Sequence, residues 1–146
     1  MAPAQALDGL SSAQSAVRLP GASHSVVEIL AHMLYWQSWF LERCAGVGAP
    51  MASTASLGWP AAEAEEWESL RERFLEGLRQ GVKISSDESA CVRRIDPPIE
   101  FPPLANYTVG DVITHMAIHN AHHLGQIITL RQFMGAWPPP EGSYTW

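Results

Sequence analysis

The chain has 146 residues, 47% of them apolar, and a formal charge of −6 with histidine counted neutral. That size suits one domain spanning residues 1–146, with enough apolar side chains for a core of its own. The absence of any basic cluster argues against nucleic acid as a partner, and no apolar run reaches the ~18 residues of a membrane span.

The N-terminal MAPAQALDGL has neither a basic start nor a long apolar stretch, so it does not read as a signal peptide. A cytoplasmic location is the expectation. Cys44 and Cys91 stand far apart with no CxxC spacing, as free or buried thiols in a reducing compartment would.

Proline and glycine divide the rest. A short first helix is expected around Ala4–Leu10, before Leu19-Pro20-Gly21. Ser25-Val-Val-Glu28 is a capping-box pattern, so a second helix should start there, run to about Ala45 and stop at Gly46. Gly46 to Pro60 is rich in small residues and proline and reads as a loop. A third helix is predicted over roughly Ala61–Gln80 from the spacing of Trp67, Leu70, Phe74, Leu75 and Leu78, with acids near its start. Asp96 to Pro103 holds four prolines. Thr108-Val-Gly-Asp111 then caps a fourth helix reaching about Met134, before Gly135. No strand alternation persists. The expected fold is all-α, a four-helix bundle with a short first helix and long inter-helix connections.

On a helical wheel of the fourth helix, Val109, Val112, Met116, Ile127, Leu130 and Met134 define the apolar stripe. His123 falls inside it and His119 at its margin, while Gln126, His115 and His122 lie progressively further out. Two imidazoles at i and i+4 can converge on one ion, and a Zn²⁺ site needs further ligands from elsewhere. His32 is the candidate: it borders the face built from Val26, Leu30, Met33, Gln37 and Phe40, beside Ile29, Trp36 and Trp39. Spacing alone leaves two readings open. The histidines are either a metal set or core residues hydrogen-bonded to neighbours, although two adjacent buried imidazoles are costly without a shared partner.

Two stretches resemble the DinB/YfiT-like family. One is the serine-capped Ser25-Val-Val-Glu-Ile-Leu-Ala-His32; the other is His119-Asn-Ala-His122-His123-Leu-Gly125-Gln126-Ile127, of the form HxxxHxGQI. The small and proline residues after Gly135 are similar too. The resemblance implies a helical bundle with a three-ligand metal centre, and matches the ligand positions to His32, His119 and His123. His115 and His122 fall outside those positions, as a lining residue and an edge residue. The first helix before Leu7-Asp8-Gly9-Leu10 is shorter here than is usual in the family.

Three histidines leave a coordination position open, the catalytic rather than the structural pattern. The ion expected is a divalent transition metal, zinc foremost, with nickel or iron as alternatives. The resemblance further implies an enzyme acting on a small molecule, of the thiol-dependent transferase type, with a low-molecular-weight thiol as cosubstrate. Metal-dependent hydrolysis and a non-enzymatic metal-stabilised bundle are the alternatives. Catalytic residues beyond the metal set are not assigned; Glu28 and His115, each one turn from a ligand, are candidate proton carriers, with capping the simpler role for Glu28. The short first helix and the tryptophan content point to a homodimer.

Overall fold

The structure, a computed structural model, describes residues 2–143. They form six α-helices and no strand: α1 (Pro3–Leu7), α2 (Ser12–Ser15), α3 (Val26–Cys44), α4 (Trp67–Ser85), α5 (Glu88–Cys91) and α6 (Val109–Phe133). Three short 3₁₀ turns lie in the connections. The all-α reading holds. The long elements are α3, α4 and α6, with α3 packed along both of the others.

Local chemistry explains the helix ends. The Glu28 carboxylate accepts from the Ser25 backbone N–H (2.7 Å) and hydroxyl (2.9 Å), so the capping box starts α3. Asp111 does the same for Thr108 (both 2.9 Å), and the Thr108 hydroxyl accepts from the Asp111 N–H at 3.2 Å. Gly46 and Gly135, at φ 83° and 67°, lie just past the ends of α3 and α6, in the left-handed conformation that glycine reaches without strain.

Two boundaries differ from expectation. The segment expected as one helix, Ala4–Leu10, is α1 alone, with α2 separate and capped by Ser11 (Gln14 N–H to Ser11 Oγ, 3.2 Å). Asp8 is already extended at ψ 147°, which brings Ala6, Leu7 and Leu10 into the core. The third helix starts at Trp67 rather than Ala61, because buried Trp67, hydrogen-bonded through Nε1 to the Leu10 carbonyl (3.0 Å), sets where the chain turns inward. It runs on past Gln80 to Ser85, through two glycines.

Gly77 is tolerated inside α4 for a reason in α3. A Cβ there would lie 2.6 Å from Gln37 Oε1. The Gln37 side chain is fully buried and, with its amide oriented to suit its surroundings, donates to the Phe74 carbonyl (3.2 Å) and accepts from the Leu78 N–H (3.1 Å). The close approach offsets the ~1 kcal/mol that glycine costs in a helix.

The core has two apolar clusters. One gathers Leu7, Leu30, Met33, Trp67, Phe74 and Ile127; the other gathers Trp39, Phe40, Ile95, Val109, Val112 and Met116. On α6 the change from one to the other falls between Met116 and Ile127. The buried residues between them are polar, Asn120 and His123, with His119 half-buried beside them.

Candidate metal centre

His32 comes from the second turn of α3, and His119 and His123 from successive turns of α6. One ligand nitrogen from each lies within 4.8 Å of the others. His32 Nε2 and His119 Nε2 are 3.2 Å apart, and the ring centroids stand 4.5 to 5.1 Å from one another. Two nitrogens bound tetrahedrally to one zinc at 2.0–2.1 Å would be about 3.3 Å apart. The three-histidine group could therefore hold a metal ion with little movement.

Two of the three outer nitrogens are tied, those of His32 and His123, which leaves their inner nitrogens free to ligate. The Gly58 carbonyl can only accept, so at 2.6 Å it draws the proton of His32 to Nδ1 and leaves the Nε2 lone pair pointing inward. His123 Nδ1 lies 2.7 Å from Gln126 Oε1, with the same consequence. His119 Nδ1 is buried and has no hydrogen-bond partner among the described residues; nor do the two amide atoms of its neighbour Asn120. Such orphans are rare in a folded interior.

All three rings favour the neutral, ligating form. Burial pushes His32 down to about 4, against the opposing Gly58 hydrogen bond and helped by positive charge on His123 and His24. Burial, then His123 and His32, pushes His119 down to about 4, against a weaker opposing influence from the neighbouring Asn120 side chain. His123 is lowered too, by burial first. Among the described residues no carboxylate joins the cluster.

Several residues of the site carried no sequence signal. Gly58 and Trp59 lie in the connection between α3 and α4, where no periodicity marks them. Trp59 stacks on His32 (centroids 3.7 Å apart, planes 11° apart) and carries His24 on its other face (3.9 Å, 9°). Gly58 lies so close to Trp36 that a Cβ there would stand 2.7 Å from the indole nitrogen, so a larger residue would have to displace one or the other. Gln126 did carry a signal, as part of the HxxxHxGQI stretch, though the wheel puts it outside the apolar stripe; it bridges His123 to His122, with Gln126 Nε2 3.3 Å from His122 Nε2.

The remaining candidates fall elsewhere. His115 sits toward the second core cluster against Phe40, with Nδ1 3.3 Å from the Tyr107 hydroxyl. The Glu28 carboxylate is occupied by Ser25 and Arg18. Trp39 is core, its Nε1 bonded to the Ala49 and Pro50 carbonyls. With Tyr35 it borders a cleft of about 500 Å³ between α3 and α4, to which none of the three clustered histidines contributes.

No helix among the described residues is long and apolar enough to cross a membrane. Comparison with curated proteins and with solved structures finds no significant match. The family model of the DinB superfamily matches residues 3–127, a stretch that contains α3, α4, Gly58, Gln126 and all three clustered histidines. The chain thus belongs to the DinB superfamily.

Proposed function

We propose that this protein is a metal-dependent enzyme in which the Nε2 atoms of His32, His119 and His123 hold one divalent ion, zinc foremost, for a thiol-dependent transfer reaction. The observation that carries the reading is the convergence of three imidazoles, all biased to the neutral form, within 4.8 Å. Structural zinc sites close with four protein ligands; three leave a place for substrate. An ion held by neutral ligands keeps its charge and lowers the pKa of a water or thiol bound to it. The chain's own part is orientation and shielding. Gly58 and Gln126 hold the rings, and Trp59 covers one face of His32 against water. Of the two candidate proton carriers, His115 lies one turn before His119 on α6, with Nδ1 3.3 Å from the Tyr107 hydroxyl. Glu28 has its carboxylate engaged in capping and in the Arg18 ion pair.

The partners we propose are a small electrophilic substrate, a low-molecular-weight thiol and a second copy of the chain. The exposed side of α6 carries Ala117, Ile118, Ala121 and Phe133, with Ile118 66% and Phe133 77% exposed. A mass near 16 kDa by light scattering at micromolar concentration would overturn the dimer. Free Cys44 and Cys91 favour a cytoplasmic setting.

Elemental analysis of untagged protein, purified without added metal, tests the centre. About one equivalent of a divalent transition metal is expected. A metal-free protein that also fails to take up zinc, nickel or iron overturns the reading. Thiol conjugation of an electrophile, abolished by chelation, is the expected activity; ester or amide hydrolysis without thiol would move the assignment to a hydrolase.

A further inference from the structure

Beside the metal centre, on the outer side of Trp59 and Gln126, lies an open cleft of about 760 Å³. This is within the usual range for small-molecule sites. Its walls are of two kinds. Ile29, Leu130 and the edge of Trp59 are apolar, while His24, His122 and Gln126 are polar. No acidic side chain lines it. The carboxylate beside His24 is that of Glu28, which is already taken by Arg18 and Ser25.

Two histidines line the cleft. The His24 ring is stacked on Trp59, which orients it. His122 has its Nε2 against Gln126 Nε2. In the metal-centre reading, on which this step rests, His123 must carry its proton on Nδ1 and give it to Gln126 Oε1. The Gln126 amide nitrogen then donates to His122 Nε2 at 3.3 Å, which leaves the other nitrogen of that ring for a ligand. An apolar wall, two imidazoles and no competing carboxylate make a receptor for one acidic oxygen pair on an apolar body.

We propose that this cleft binds a small amphipathic monocarboxylate, its carboxylate on His24 and His122 and its apolar part against Ile29 and Leu130. The site lies beside the three-histidine centre and uses none of its inward-facing nitrogens. Its floor includes Gly125, where an added Cβ would meet nothing within 4 Å.

Calorimetric titration with phenylacetate, and with 2-phenylethanol as the uncharged counterpart, tests this. Phenylacetate should bind saturably and at least tenfold more tightly than 2-phenylethanol, and its amide chemical-shift changes should centre on Ile29 and Leu130. Equal affinity for the two overturns the carboxylate assignment, and no binding of either overturns the site. Gly125→Leu fills the cleft while replacing glycine by a better helix former, so it should fold. It is expected to weaken phenylacetate binding at least tenfold, and undiminished binding by this variant overturns the location. His122→Ala should weaken phenylacetate about fivefold or more with little effect on 2-phenylethanol. An equal loss for both would overturn the donor role. Zinc titration of the same samples reads the metal centre separately: failure to bind zinc overturns that centre, whereas carboxylate binding is judged on the phenylacetate arms alone.

Discussion

Helix α6 buries two polar groups of opposite character eight residues apart. Arg131 is 1% exposed, and its guanidinium is fully engaged: Nη1 donates to the Ala6 carbonyl (2.6 Å), Nη2 to that of Asp8 (2.7 Å) and Nε to that of Ala136 (3.1 Å). His123 is 6% exposed, and the cluster around it leaves polar atoms of His119 and Asn120 without partners. The first arrangement is complete within the protein and joins the N-terminal segment to the end of α6. The second gathers three imidazole rings whose ligand nitrogens lie within 4.8 Å of one another. Buried polar groups that hydrogen-bond to the backbone around them are structure; imidazoles that converge on one point are what a metal ion needs.

The comparison predicts opposite outcomes for substitutions at the two ends. The largest effect should be on metal binding. His119→Ala with His123→Ala leaves one of three ligands, and zinc should no longer bind at micromolar concentration in a competition titration. The metal-free variant should melt within a few degrees of the metal-free parent, because the two rings give up only one hydrogen bond to Gln126 and one contact with His32. A large fall in melting temperature without metal would show that the cluster is structural after all.

Arg131→Met should do the reverse. Three carbonyls lose their donor, at about 1–3 kcal/mol each before relaxation. We expect a loss of roughly 3–5 kcal/mol in denaturant unfolding, with one metal equivalent still bound. Unchanged stability would mean that the Ala6 and Asp8 carbonyls find water at no cost.

Acid should separate the two regions next. His32 and His119 have folded values of about 4 against an ordinary 6.5, so the folded state binds fewer protons than the unfolded state between those limits. Their contribution to stability is present above pH 6.5 and is lost as pH falls toward 4. Metal-free protein should lose up to about 4 kcal/mol between pH 7 and 5, roughly 2 from each ring, and the double alanine variant at His32 and His119 should lose much less. The Arg131 cluster does not titrate in this range. Identical acid profiles for parent and variant would contradict the neutral-ring assignment.

The smallest effect tests orientation. Gln126→Leu removes the acceptor from His123 Nδ1, and zinc affinity should fall about 10–100-fold with little change in folding. Gln126→Glu restores an acceptor and should recover affinity. If the leucine and glutamate variants bind alike, Gln126 only fills space.

Much of this molecule could be read before any coordinates. The capping boxes at Ser25 and Thr108 and the helix stops at Gly46 and Gly135 are local events, decided by a few neighbouring residues, and they bound α3 and α6 closely. The placement of His119 and His123 on one side of α6 follows from helical geometry alone. The start of α4 does not, because Trp67 begins the helix where Leu10, fifty-seven residues earlier, offers a carbonyl. Only the packing of α3 against α6 brings His32 Nε2 to 3.2 Å from His119. Gly58 and Trp59 join the site for the same reason. Their loop has no period to reveal them, and what places them is the close approach of Gly58 to Trp36 and the stacking of Trp59 on His32. Sequence determines what each helix offers on its faces; contacts between residues distant in the chain decide which of those offers meet.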